Sequence, residues 1–111
     1  MFCNCKKLVL LDLSSLNTGN VVNMDSMFQN CPKLTSLNLS SFNTSKVTDM
    51  SDMFSGCSSL QELNLSNFDT SKVEKFRHMF NDVNPECKIF VGDKWTLTEE
   101  QCGFDGKFIR G

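Results

Sequence analysis

The sequence predicts an α/β fold made of a short repeated unit, with a parallel sheet on one side and short helices on the other. Three observations support this. Leu8 recurs as Leu34 and Leu60, so the period is 26 residues, and no insertion interrupts it. In each period one stretch has the spacing of an amphipathic helix. The next stretch alternates apolar and polar residues, as a strand with one buried side does.

Columns of like residues, each offset by 26 positions, define the repeat. So many columns coincide in one register that chance does not explain them. The clearest columns are Leu8, Leu34 and Leu60; Leu11, Leu37 and Leu63; Leu13, Leu39 and Leu65; Thr18, Thr44 and Thr70; Met1, Met27, Met53 and Met79; and Phe2, Phe28, Phe54 and Phe80.

The elements of one unit follow from residue spacing. Leu63 and Leu65 are separated by one polar residue, which predicts a strand. Residues 41–47 are rich in side chains that bond to nearby backbone, which predicts a tight bend before the next helix. The helix is predicted from four apolar residues at i, i+3, i+4 and i+7, which share one face: Met50, Met53, Phe54 and Cys57.

One unit is too small to fold alone, because burying a large apolar side chain gains about 1.5–3 kcal/mol whereas ordering each residue costs about 1–2 kcal/mol. Stacked units share their apolar columns, so we expect a one-dimensional solenoid over residues 1–91. It would hold about 3.5 repeats and start in the middle of a helix, because Met1 aligns with Met27. Residues 92–111 contain Trp95 and are predicted to be an irregular C-terminal cap or the start of a further repeat.

The pattern Leu-x-x-Leu-x-Leu resembles the leucine-rich repeat, although Phe42 and Phe68 stand where that repeat usually has asparagine. The fuller unit, residues 37–57, resembles the BspA-type leucine-rich repeats of bacterial surface proteins. That resemblance implies a leucine-rich-repeat solenoid in an extracellular or cell-surface location, without enzymatic activity or a cofactor. Residues 92–111 are interpreted first as a cap, but family members often carry a sequence like residues 88–95 between repeats, which supports the alternative of a further repeat.

Composition argues against several partners. Eleven Lys and Arg residues against 13 Asp and Glu give a net charge of −2, which offers nucleic acid no attractive surface. The longest apolar runs are far shorter than the roughly 20 residues that cross a bilayer. We therefore expect neither nucleic-acid binding nor membrane insertion.

One column of cysteines is interpreted as core packing. Cys5, Cys31 and Cys57 align with Val83, so the position accepts a small apolar side chain. Neighbouring units are expected to lie roughly 8–10 Å apart at their helices. A disulfide requires Cα atoms within about 7 Å, so pairing along the column is not expected.

The remaining candidate chemical groups point to no catalytic, cofactor-binding or metal site. Cys3 aligns with polar residues and is predicted to face water, and no second Cys or His pair completes a metal site with it. His78 stands in the polar column of Ser26, and no nucleophile or carboxylate is placed beside it by a motif. Cys87 and Asp49 belong to no such motif either. Cys87 and Cys102 both lie in the C-terminal region, and the sequence leaves open whether they form a disulfide.

The outward side chains of the predicted strands form the candidate ligand-facing surface. Because they are small and polar, they predict a weak interaction surface that gains from repetition. The leading hypothesis is a non-catalytic interaction or adhesion module that binds a host matrix or other cell-surface protein; the alternative is a passive spacer or stalk. Self-association through an uncapped N-terminal end is a further expectation. The candidate residues are Ser36, Asn38, Glu62, Asn64, Lys88 and Phe90.

Overall fold

The structure, a computed structural model, describes residues 3–110. Its strands form two small parallel sheets, one with two strands and the other with three. The start at Met1, from which a mid-helix beginning was predicted, lies outside the described residues. The elements are β1 Leu10–Asp12, β2 Ser36–Asn38, β3 Glu62–Leu65, β4 Lys88–Val91, α1 Glu99–Cys102 and β5 Phe108–Arg110. One sheet contains β1 and β2, and the other contains β3, β4 and β5 in that order.

The predicted alternation of the strands is confirmed. In β3, Leu63 and Leu65 are buried while Glu62 and Asn64 are exposed. The pairing offset equals the sequence period in two places, because β1 pairs with β2 and β3 pairs with β4 at a separation of 26 residues. The periodic leucines therefore point to the same side of the sheets, where those of the second and third units are buried and those of the first unit are partly buried.

The predicted leucine-rich-repeat solenoid with short helices on one side is wrong. The molecule is a small globule with extents of 31 × 28 × 23 Å. Residues 50–57, expected to be a helix, form successive turns, and α1 is the only helix within residues 3–110. Parallel strands lie only about 4.8 Å apart. Three units stacked at this spacing therefore give a molecule that is no longer than it is broad.

Backbone hydrogen bonds explain why the expected helices are absent. The N–H of Ser26 donates to the carbonyl of Ser51 at 2.9 Å, and the N–H of Phe28 donates to the carbonyl of Met53 at 2.9 Å. An α-helix would direct these N–H groups to carbonyls four residues earlier in its own turn. Here they join one unit to the next instead.

Residues with left-handed backbone also interrupt the apolar stretch. Ser26, Asp52 and His78, which share a column, have φ values of 58°, 57° and 60°. Asn30 and Gly56 share a second such column, with φ values of 58° and 80°. A right-handed helix cannot pass through these conformations, which Asn, Asp, His and Gly adopt more readily than most residues.

Buried threonines in the bend that follows each strand link one unit to the next. Thr44 donates its hydroxyl hydrogen to the carbonyl of Asp69 at 3.0 Å and accepts the N–H of Asp69 at 2.8 Å. Thr18 has the equivalent two bonds to the following unit. Thr70 extends the series and accepts the N–H of Thr96 at 2.8 Å. This threonine ladder satisfies backbone groups that the turns would otherwise leave unpaired.

Rows of parallel phenylalanine rings fill the core. Phe54 lies between Phe28 and Phe80, with centroid separations of 5.6 and 5.4 Å and interplanar angles of 11° and 3°. Phe42 and Phe68 form a second stacked pair at 6.2 Å. Because the rings of each row come from successive units, the apolar columns of the sequence become continuous buried rows.

Residues 92–110 cover the C-terminal end of the rows. Trp95, Phe104 and Phe108 lie 6.3, 5.7 and 5.7 Å from Phe80 between ring centroids. α1 begins with a capping box, and β5 pairs with β4 at an offset of 19 rather than 26 residues, with Phe108 opposite Ile89. The segment thus keeps the period as far as Thr96, one period after Thr70, and then leaves it while continuing the core. The domain boundary after residue 91 stays a prediction.

Candidate functional site

The strands β2, β3 and β4 carry all six candidate ligand-facing residues on the outward side of the sheets. Each is followed in the chain by a buried leucine, isoleucine or valine, so the alternation of the strands places it on the outward side. Phe90 is half-buried, and the other five are exposed: Ser36, Asn38, Glu62, Asn64 and Lys88.

The sheet is interrupted between β2 and β3, which belong to different sheets. Two grooves lie along this seam. The larger has a volume of about 650 Å³ and is lined by Thr35, Ser36, Leu37, Gln61, Glu62, Asn64 and Lys88. The smaller has a volume of about 400 Å³ and is lined by Leu37, Asn38, Leu39, Ser40, Asn64, Ser66 and Asn67.

The grooves bring most of the candidate residues together. Ser36, Glu62, Asn64 and Lys88 share the larger groove, and Asn64 also lines the smaller one. Phe90 lines neither groove. The side chains of the larger groove offer hydroxyl, amide, carboxylate and ammonium groups, so it can both donate and accept hydrogen bonds.

Two of the candidate side chains also hold the backbone. The Oδ1 atoms of Asn38 and Asn64 accept the N–H groups of Ser40 and Ser66, each at 3.0 Å. This bond two residues along the chain is the usual way in which asparagine stabilises a turn. The side-chain N–H groups of Asn38 and Asn64 are therefore the part that can meet a ligand.

Asn67, an exposed residue that lines the smaller groove, was not among the residues predicted from the sequence. Its side-chain N–H groups donate to the carbonyls of Leu39 at 3.3 Å and Phe42 at 2.9 Å. Ser41, in the same column, donates in the same way to the preceding unit. The sequence signal for this contact is the change from serine to the larger asparagine within one column, because the change occurs where the two sheets separate.

The cysteines behave mainly as packing residues. The predicted burial of Cys31 and Cys57 is confirmed, whereas Cys5 is only partly buried. The thiol of Cys57 donates to the carbonyl of Phe28 at 3.0 Å, and burial raises the pKa of Cys57 to about 12. A thiol with so high a pKa is protonated at neutral pH and a poor nucleophile.

Cys87 and Cys102 are both buried as free thiols, so the structure shows no bridge between them. Burial raises the pKa of Cys87 to about 11 and that of Cys102 to about 12. Cys3 is exposed, as predicted. The exposed thiol is therefore the one best placed to react.

Other chemical candidates lie apart from the grooves. His78 is exposed in a turn with left-handed backbone. Within residues 3–110, no three or more His, Cys, Asp or Glu side chains are grouped so as to hold a metal ion. The same residues contain no helix with the length and apolar character needed to span a bilayer.

Over residues 1–99 the chain matches a known protein family, described as "Mycoplasma protein of unknown function, DUF285". The matched range includes β1 to β4 and both grooves. No curated protein and no solved structure matched the chain. The family description names no ligand, activity or partner.

Proposed function

We propose that this chain, which belongs to the DUF285 family, is a non-catalytic interaction or adhesion module of a bacterial cell-surface protein. The observation that carries the proposal is the larger groove, which gathers Ser36, Glu62, Asn64 and Lys88 on one open surface. The resemblance of residues 37–57 to BspA-type repeats supports the surface location and the adhesive role. A protein of the host matrix or of another cell surface is the proposed ligand.

The chemistry of the groove supports weak, polar recognition. Glu62 can accept and Lys88 can donate charge-assisted hydrogen bonds, while Ser36 and Asn64 add neutral ones. The groove lining has no Trp, Tyr or Arg, the residues that dominate the energy of tight protein interfaces. Useful affinity would therefore come from several such surfaces acting together.

The test is retention of the 111-residue chain on immobilised host matrix proteins, with collagen, fibronectin and laminin as probes. The double variant Glu62→Gln, Lys88→Gln removes one carboxylate and one ammonium group from the groove without touching the asparagine turns. Its matched control, Glu74→Gln, Lys72→Gln, removes the same two charges from exposed positions outside the grooves. We expect the groove variant to lose retention and the control to keep it.

The second candidate function is a passive spacer or stalk. It is favoured by the use of the Asn38 and Asn64 side-chain oxygens within the molecule's own turns. If none of the three matrix proteins retains the unmodified chain, or if both double variants are retained equally, the spacer is the better account.

A further inference from the structure

The seam between β2 and β3 interrupts a backbone ladder that is present on both sides of it. Between the first two units, the N–H of Leu13 donates to the carbonyl of Asn38 at 3.2 Å. One period later, no backbone bond joins the equivalent pair, Leu39 and Asn64, within residues 3–110. The ladder resumes between β3 and β4. The inward residues are leucine, isoleucine or valine at every junction, so they do not explain the gap.

One column just after the strands differs between the three junctions, with Ser41, Asn67 and Asp93 in successive units. The Ser41 hydroxyl donates to the carbonyl of Leu13, in the preceding unit, at 2.8 Å. Asn67 reaches its preceding unit through its side-chain Nδ2, which lies 2.9 Å from the carbonyl oxygen of Phe42. The ladder is present at the junctions with serine or aspartate and absent at the junction with asparagine.

The length of the Asn67 side chain accounts for the gap. Its donor nitrogen is one covalent bond farther from the backbone than the Ser41 oxygen, a difference of about 1.3–1.5 Å. Both donors bond the same place in the preceding unit, since Phe42 lies one period after Leu16. The longer side chain therefore holds its own backbone farther away. A backbone hydrogen bond stretched by about 1 Å is lost.

The junction between β3 and β4 shows what happens without such a side chain. Asp93 is exposed, and a carboxylate has no hydrogen to donate to the carbonyls of the preceding unit. Gly92, the residue before it, lies so close to that unit that a Cβ atom would collide with the Ser66 carbonyl. The units thus approach closely where no bonded side chain stands between them.

The gap leaves backbone groups facing the grooves. Alternate residues of a parallel strand direct their N–H and C=O groups to opposite sides. The carbonyl of Gln61 accepts the N–H of Lys88 on the side of β4, so Glu62 and Asn64 direct their backbone groups into the seam. The larger groove therefore offers amide donors and acceptors to which a polypeptide ligand can bond, in addition to its side chains.

We propose that Asn67 is the positioning residue of the candidate binding site, because its bonded side chain holds β3 away from β2 and so opens both grooves. The binding role of the grooves rests on the proposed function. The wedge itself rests only on the bonds of Asn67 to the preceding unit and on the comparison of the three junctions.

The first test is hydrogen–deuterium exchange at the Leu39 amide, measured by NMR. Asn67→Ser should let β2 and β3 pair and slow this exchange about 10-fold, the effect of one hydrogen bond. A variant that had only lost stability would exchange faster. The matched control Asn67→Gln keeps a donor on a longer side chain and should leave the exchange unchanged. The reciprocal variant Ser41→Asn should open the first junction and accelerate exchange at Leu13, while circular dichroism confirms that all variants are folded.

Retention on the matrix proteins tests the connection to the proposed function. Where the unmodified chain is retained, Asn67→Ser should bind about 10-fold more weakly and Asn67→Gln should be retained as before. If no matrix protein retains the unmodified chain, the proposed function fails while slower exchange at Leu39 still supports the wedge. Unchanged or faster exchange at Leu39 in Asn67→Ser, or equal slowing in Asn67→Gln, would overturn the wedge. Undiminished retention of Asn67→Ser would overturn its role in the binding site.

Discussion

The two ends of the molecule differ in how well the same kinds of residue are covered. At the N-terminal end, Leu11 is only partly buried, whereas Leu63, in the same column, is 1% exposed. At the C-terminal end, Phe80 is also 1% exposed, although the next position in its column, 106, is a glycine. Trp95 and Phe108 cover it instead.

The difference shows that a residue in one of the columns is buried when other residues pack against it on both sides. Its position in the period does not bury it by itself. The first unit has one neighbour within the described chain, and its leucines remain half-covered. Residues 92–110 depart from the period after Thr96, yet their aromatic side chains complete the core. Closure of an end therefore requires apolar volume of the right shape and does not require another repeat.

Removing the aromatic cover should produce the largest loss of stability. Trp95 is 3% exposed and packs against Phe108 at 5.3 Å, so we expect Trp95→Ala to lower the free energy of unfolding by about 3–5 kcal/mol. Urea denaturation followed by circular dichroism measures this. Leu10→Ala, in dilute solution, is the control at the other end and should change it by no more than about 0.5 kcal/mol. Similar losses in both variants would contradict the contrast between the ends.

Leucines of one column should differ in what they contribute. Leu63→Ala should cost about 2–5 kcal/mol, as expected for a fully buried leucine. Leu11→Ala should cost about 1 kcal/mol, because less of its side chain is removed from water. The same urea experiment decides between this expectation and an equal contribution from each unit, which identical costs would indicate.

The junction between the third unit and residues 92–110 depends on the Thr70 hydroxyl. Thr70→Val leaves the Thr96 N–H without its acceptor and removes the hydroxyl's bond to the Lys94 carbonyl, which keeps only the Thr70 backbone N–H, and we expect a cost of about 1–3 kcal/mol. Thr70→Ser, which keeps the hydroxyl, is the matched control. Hydrogen exchange at the Thr96 amide should accelerate in the valine variant and change less in the serine variant. Unchanged exchange in both would show that the ladder does not hold this junction.

Acid should weaken the C-terminal end through Glu99. Its carboxylate accepts the Phe108 N–H at 2.9 Å, and this bond, with smaller contributions from Lys107 and Arg110, holds the pKa of Glu99 below its usual value. Because the folded-state pKa is the lower one, the stabilisation is present above the unfolded-state pKa and is lost as pH falls through the folded-state pKa. The melting temperature of the unmodified chain should therefore exceed that of Glu99→Gln at about pH 7 and approach it at about pH 3. A difference that is constant with pH would exclude this role.

Thiol labelling should distinguish the ends without changing stability. Cys3 is exposed and should react first with iodoacetamide, whereas burial raises the pKa of Cys102 to about 12 and should protect it until the chain unfolds. Mass spectrometry of peptides from native and denatured samples measures both. Equal rates at Cys3 and Cys102 in the native state would contradict the burial difference.

Sequence reasoning predicted the strands well because their signals are local and strong. The Leu-x-Leu alternation determines which side chains face inward, and the period determines which residues pair, as Glu62 with Lys88 shows. The outward position of the candidate residues followed directly. The two grooves could not be predicted in this way, because the seam depends on how β2 and β3 separate in three dimensions.

The helices were predicted wrongly because two consecutive turns can imitate helical spacing. Met50 and Met53 are joined by an i to i+3 hydrogen bond, which places apolar side chains on one side as a helix would. The contrary signal was the column of Ser26, Asp52 and His78, whose residue types tolerate positive φ. In a single sequence that column is also typical of the exposed side of a helix.

Trp95 is the only tryptophan, and the chain has no tyrosine. Its indole N–H donates to the Leu97 carbonyl at 2.8 Å inside the core, so its fluorescence should be blue-shifted in the folded protein and shift to the red when residues 92–110 detach. The emission spectrum thus reports on one end of the molecule alone. Comparison with circular dichroism, which averages over the whole backbone, can show whether the C-terminal cover opens before the sheets unfold.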